Sequence, residues 1–374
     1  MISVHQIQNQ KELTAFIKFP FKLYKNCPYW VPPITKEERH FMNPSKNPVF
    51  KNAEAAYFVA KKNGKIVGRI AAIVNWIEVN QQKKSKIRFG WYDVENDIQI
   101  SKKLLDTVIS YGKQKNLHFI EGPVGFSNMD KAGLLCEGFD KLNSMNTWYH
   151  YPYQKEHLKA LGFSIASEWL EFAITIPKYA ESPEKIRRIS KIILEKYALK
   201  VLQFKSTKEL IPYVDKMFDL LNNTYNQLES FVPIQEDQIN YYKEKYFQYI
   251  DPQYIKCITQ SDGKLIAFAI VLPLFSRALK KANGSMFPFG FFHILKSLRC
   301  HDTVSTYLIG ILPEYRQKGL NAILFDEVHR TLDRKGIFKI ETNPTLKENK
   351  AMLALWKKYT YQLTKRRRTY RKEI

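Results

Sequence analysis

The chain is short of cysteine, of acidic charge and of long apolar runs, and each shortage excludes something. Its cysteines are Cys27, Cys136, Cys257 and Cys300, too scattered for a disulfide framework or a paired zinc site. No HExxH spacing involves His301 or any other histidine, so no metal site is expected. The longest apolar run, LIAFAIVLPLF, is about half of what a membrane span needs. The first residues, MISVHQIQNQKELTAF, lack the apolar core of a signal peptide. The expectation is a soluble, reduced, cytoplasmic protein.

What is present is size and positive charge. With 374 residues, 45% hydrophobic, the chain can bury a large core and fits two domains better than one. Lys and Arg total 59 against 36 Asp and Glu, a formal charge of +23. Such an excess favours anionic partners: a phosphorylated cofactor, nucleic acid or an anionic membrane surface.

Two copies of one plan follow each other. From Tyr57 the chain reads YFVAKKNGKIVGRIAAIV, a hairpin pattern around Asn63-Gly64, and then a strand, KIRFGWYDV. A helix with Ile100, Leu104, Val108 and Tyr111 on one face comes next, and the strand LHFIEGPV after it. The second half repeats this order with a hairpin around Asp262-Gly263, the strand TYLIGILP and the helix GLNAILFDEVHRTLDRKG. The strand IFKIET and a helix carrying Met352, Leu355, Trp356 and Tyr359 complete it. HLKALGF followed by EWLEFAITI lines up with WKKYTYQ followed by TKRRRTYRK. Pro, Ser and charge cluster in residues 177–188, which places a linker between domains 1–176 and 189–374. The fold class is α/β (α+β), with two mixed, mostly antiparallel sheets flanked by helices.

The most informative joint is Arg316, Gln317, Lys318, Gly319, Leu320, Asn321, between a strand and a helix. The first N–H groups of a helix lack internal partners and its dipole is positive there, so the joint suits a phosphate or pyrophosphate. RQKGLNA resembles the acyl-CoA signature of the GNAT N-acetyltransferases, with Asn321 where Gly or Ala is usual. The order of strands and helices over residues 250–374 matches that family, and the chain resembles its tandem bacterial members.

That resemblance implies an acyl-CoA co-substrate, acetyl-CoA or another, and an amine acceptor. Backbone groups near Gly310 and Ile311 would pair with the pantetheine arm, Gln317 to Asn321 would donate to the pyrophosphate, and Asn349 would contact the pantetheine side. The family's acid, a tyrosine seven residues after that asparagine, is here Trp356, whose indole cannot release a proton usefully. Tyr359 and Tyr361 are nearby substitutes or core residues. Glu341 is either the general base or a solvated strand carboxylate, and Glu229 and Glu236 lie where the family has substrate-side helices.

The first half has WYDVENDIQISKKLL at the equivalent joint, where Asp93, Glu95 and Asp97 would cap a helix and repel a pyrophosphate. Its glycine-rich stretch with Phe126, Ser127 and Asp130 is either a wall of the acceptor pocket or a set of turns packing aromatics. PFGFFHILKSL meets an apolar acceptor or a membrane interface, or folds onto the core as a lid. KRRRTYRK reads as an RNA contact or as a basic edge strand that guards against aggregation. Three functions remain open: an N-acyltransferase, an inactive CoA-binding or regulatory protein, and an aminoacyl-tRNA-dependent transferase.

Overall fold

The computed structural model describes residues 1–127, 129–182, 184–225, 231–245, 247, 250–356 and 359–374. The first half runs β1 (Ile2–Gln6), α1 (Gln10–Leu23), α2 (Thr35–Phe41), β2 (Ala53–Lys62), β3 (Lys65–Asn75), β4 (Lys86–Val94), α3 (Ile98–Lys113), β5 (Phe119–Gly122), β6 (Leu134–Glu137), α4 (Pro152–Ala160) and β7 (Ser164–Thr175). The second runs α5 (Glu184–Lys196), β8 (Lys200–Leu202), α6 (Thr207–Tyr225), α7 (Glu236–Lys245), β9 (Ile255–Thr259), β10 (Leu265–Pro273), α8 (Ser276–Ala282), α9 (Gly290–Arg299) and β11 (Thr303–Ile311). It closes with α10 (Leu320–Arg334), β12 (Lys339–Thr342), β13 (Thr345–Leu346), α11 (Lys350–Trp356) and β14 (Thr360–Glu373).

The two expected sheets are joined edge to edge into one. Its order is β1-β2-β3-β4-β5-β14-β7-β12-β11-β10-β9-β8, and among the described residues only β4–β5 and β11–β12 pair in parallel. Each half thus ends with a strand that lies against the other half: β7 pairs with β12, and β14 with β5. Separate apolar cores form under the two halves. Leu104, Val108 and Ile120 belong to one, and Leu324, Val328 and Ile340 to the other.

The reading of KRRRTYRK as an edge strand is corrected by this order, since β14 is central. Its cations are matched by carboxylates on β7. Glu168 meets Arg366 and Arg368, and Glu171 meets Arg367 and Lys365. Arg367 is fully buried and also donates to Asn143 Oδ1, Thr147 Oγ1 and the Trp148 carbonyl, at 2.8, 2.9 and 2.5 Å. A buried guanidinium is tolerated only when its donors are satisfied in this way.

Candidate active site

The candidate site lies where β11 and β12 part. They pair from Thr303↔Lys339 to Thr306↔Thr342, after which β12 ends and residues Thr306–Ile309 of β11 stay only half-buried. The Leu312 N–H bonds to the Ile266 carbonyl on β10, so the peptide groups of Gly310 face β10 as well. The open edge is therefore made by Tyr307, Ile309 and Ile311. Of the two residues expected to meet the pantetheine arm, Ile311 lies on this edge, whereas the peptide groups of Gly310 face β10.

Side chains cap the carbonyls of that edge. Tyr225 Oη donates to Ile309 O at 2.8 Å and Thr224 Oγ1 to Ile311 O at 3.2 Å. Asn343 Nδ2 reaches Tyr307 O at 3.4 Å, while its Oδ1 accepts from Ser305 Oγ and from Asn146 Nδ2 of the first half, both at 3.1 Å. Sequence reasoning missed Thr224, Tyr225, Tyr307 and Asn343. The only signal was the polar Asn343 closing the strand KIET before a proline.

Beyond Ile311 the chain makes a short turn, Pro313–Tyr315, and enters α10 through two left-handed residues, Gln317 (φ +64°) and Gly319 (φ +83°). Arg316, Gln317 and Lys318 are exposed, and the Lys318 ammonium lies over the Tyr315 ring at 4.7 Å. Among the described residues, the N–H groups of Gln317, Gly319, Leu320 and Asn321 meet no protein acceptor. Leu320 itself is buried. Four free donors and two cations at a helix start suit an anion.

Gly319 also has a packing part. A Cβ there would come within 2.4 Å of Ile193 Cδ1 on α5. The missing side chain makes room for a packed helix, and the left-handed turn also calls for glycine.

Glu341 is half-buried on β12. Burial pushes its carboxyl above the ordinary carboxylate range, Lys365 opposes, Glu171 adds to the push and Arg277 opposes. Its neighbour Ile340 faces the other side of the sheet and lines a small apolar cavity with Phe325, His329, Trp356 and Tyr359. Glu341 and Tyr359 are thus on opposite faces of β12, and the structure does not bring them together. Trp356 is buried edge-on to Phe325 with ring centroids 4.9 Å apart, and burial pushes the Tyr359 phenol up to about 12. Tyr361 is exposed against Phe172. Asn349 accepts from the Met352 N–H at 3.2 Å and caps α11. Glu236 begins α7 and is exposed, and Glu229 lies outside the described residues.

The first-half loop reaches this site in part. Phe126 is buried among Trp91, Phe41 and Phe50, which is a packing role. Asp130 accepts from the Ser127 N–H at 2.8 Å and from Ser127 Oγ at 3.3 Å. Burial raises Asp130 to about 6, against the Ser127 bonds and Arg88. Burial, and after it the nearby Asp130 carboxylate, push the Tyr307 phenol on β11 up to about 12. In the first half's own parting strands the space is closed by the chain itself, since the Val124 N–H donates to Phe89 O at 2.8 Å. Asp97 caps α3 through the Gln99 N–H and pairs with Lys62.

No family model matches the chain. Protein YghO of Escherichia coli (strain K12) is 26% identical over 377 residues, spanning 99% of this chain and 95% of that protein. A bacterial ceramide synthase of Caulobacter vibrioides is 24% identical over 360 residues, spanning 94% and 92%. Among solved structures, a tandem GNAT protein from the clavulanic acid biosynthesis pathway superposes with a TM-score of 0.58 at 11% identity, covering 100% of this chain and 98% of its own. A GCN5-related N-acetyltransferase from Sphaerobacter thermophilus gives 0.53 at 9% identity, covering 100% and 95%.

Proposed function

We infer, for a chain that has the tandem GNAT fold, an acyl-CoA-dependent N-acyltransferase whose working site is in the second half. The observation that carries this is the open β11 edge running into a turn with four unpartnered N–H groups. The pyrophosphate would take the N–H groups at Gln317 to Asn321 with Arg316 and Lys318 around it. The pantetheine amides would pair with Ile309 and Ile311, displacing or sharing the hydroxyls of Tyr225 and Thr224. A bound acyl-CoA supplies the activated thioester.

Glu341, whose carboxyl burial makes more basic than an ordinary carboxylate, would take the proton of the attacking amine in its ionised form, directly or through a water. Asn343 ties β11 to Asn146 of the first half at the mouth of the site. No tyrosine stands in the usual acid position, so the reading relies on orientation of amine and thioester for most of the rate. The likeness to a ceramide synthase supports a long-chain amino alcohol as acceptor, because a ceramide is such an amine in N-acylated form.

Release of free thiol from acetyl-CoA and from a long-chain acyl-CoA, tested with short amines and with sphinganine, checks the reading. Turnover with an amine and a fall of about 10²-fold in kcat/KM for Glu341→Gln are expected. Binding of CoA with no thiol release for any amine would favour the second reading, an inactive CoA-binding protein, which Trp356 already encourages. An aminoacyl-tRNA donor loses its main argument, since Arg366, Arg367 and Arg368 are matched by carboxylates within the sheet.

A further inference from the structure

The α8–α9 hairpin has no role in the reading above. No acidic residue occurs between Asp262 and Asp302, while Arg277, Lys280, Lys281, Lys296 and Arg299 all lie on the hairpin. Phe287, Phe289, Phe292 and Leu295 are 75, 70, 55 and 45% exposed, whereas large apolar side chains elsewhere in the described residues are mostly covered. This corrects the expectation of a lid folded onto the core, because the aromatic tip faces solvent.

The base of the hairpin is fixed. Ser276, Ala278, Ala282 and Gly290 are buried, Thr35 donates its N–H and Oγ1 to Gly284 O at 2.9 Å, and Lys280 bonds to Pro28 O. The protruding rings are therefore held in place by both halves of the molecule. Lys281, Lys296 and Arg299 meet no carboxylate among the described residues. A cluster of exposed rings with unneutralised cations around it matches the two layers of an anionic bilayer surface, apolar below and phosphate above. An acidic protein groove would satisfy the cations, but it offers no reason for three phenylalanines to project together from a cationic rim. Arg277 on α8 pairs with Asp302, the residue before β11, at 3.9 Å.

We propose that the α8–α9 hairpin docks the protein peripherally on an anionic phospholipid surface, with Phe287, Phe289 and Phe292 entering the interface and Lys281, Lys296 and Arg299 meeting the headgroup phosphates. Docking of this kind needs no spanning segment, and no helix among the described residues is long and apolar enough to cross a membrane.

Sedimentation of the full chain with vesicles tests it, using phosphatidylcholine alone and phosphatidylcholine with phosphatidylglycerol in equal parts. The wild type should sediment with the mixed vesicles, and less so as salt is raised. Phe287→Ser/Phe289→Ser/Phe292→Ser should lower the partition by roughly tenfold or more. Lys281→Glu/Lys296→Glu/Arg299→Glu should lose the preference for phosphatidylglycerol. All six side chains are exposed, so an unchanged thermal melt is expected for both variants. A wild type that stays in the supernatant, or a triple Phe variant that binds like it, would overturn the proposal. So would light scattering that shows a dimer broken by the Phe variant while vesicles leave the protein unbound. No acyl-CoA or amine enters these mixtures, so the outcome is independent of the acyltransferase reading.

Discussion

Burial holds two carboxyl groups above their ordinary range near the candidate site, and each gives a pH signature. For Glu341 the deprotonated fraction grows as pH rises through its raised value, so turnover should climb over that interval and flatten in Glu341→Gln. Tyr359→Phe, on the far face of β12, should leave kcat/KM within about twofold, as expected of a side chain that packs. For Asp130 the folded value of about 6 exceeds the unfolded one, so its contribution is full below about pH 4 and is lost as pH rises through about 6. The change is worth about 3 kcal/mol. Urea midpoints measured from pH 4 to 7 should therefore fall more in the wild type than in Asp130→Asn, and equal slopes would contradict the assignment.

At the scale of elements the exchanged strands matter most. Arg367 brings a charge from β14 into the core, and its partners come from β7 and from residues 143–148 of the first half. Arg367→Met should destabilise by about 3 kcal/mol or more, because Glu171 is left buried with one cation fewer. Glu171→Gln in addition should recover part of that loss in a denaturant titration. The local elements were legible beforehand. Asn63-Gly64 and Asp262-Gly263 turn hairpins, and the helices after Asp97 and Gly319 start where the pattern puts them. The neighbours of β14 were not legible, since a strand's sequence does not name a partner about 200 residues away. Even so, Glu168 and Glu171 in EWLE stand three apart opposite the run of arginines, a complementarity visible only after the two segments are aligned. That Gly310 faces β10 was not legible, because strand parity depends on which edge is already paired. The packing of Gly319 against Ile193 was not legible, because Ile193 arrives from a separate helix.

Across the whole molecule the exchange predicts a single folding unit despite separate cores in the two halves. Five of the six tryptophans, Trp30, Trp76, Trp91, Trp148 and Trp169, are in the first half, so fluorescence reports mainly on it, while far-UV circular dichroism reports on both. The two guanidinium curves should coincide, and two separated transitions would contradict a shared sheet. The expected domains, 1–176 and 189–374 about a linker, should then unfold together.

The central claim is that the second half alone binds acyl-CoA through the turn at residues 316–321. Gly319→Glu is a poor probe, because the left-handed backbone there, φ +83°, strains any side chain and the Ile193 tip would have to move. Asn321→Glu places a carboxylate in the first turn of α10, where it favours the helix but repels a pyrophosphate. Calorimetric titration with acetyl-CoA should show one site in the wild type, weakened roughly thirtyfold (about 2 kcal/mol) in Asn321→Glu with no loss of thermal stability. Equal affinity in both proteins, or a second site of the same strength, would contradict the account.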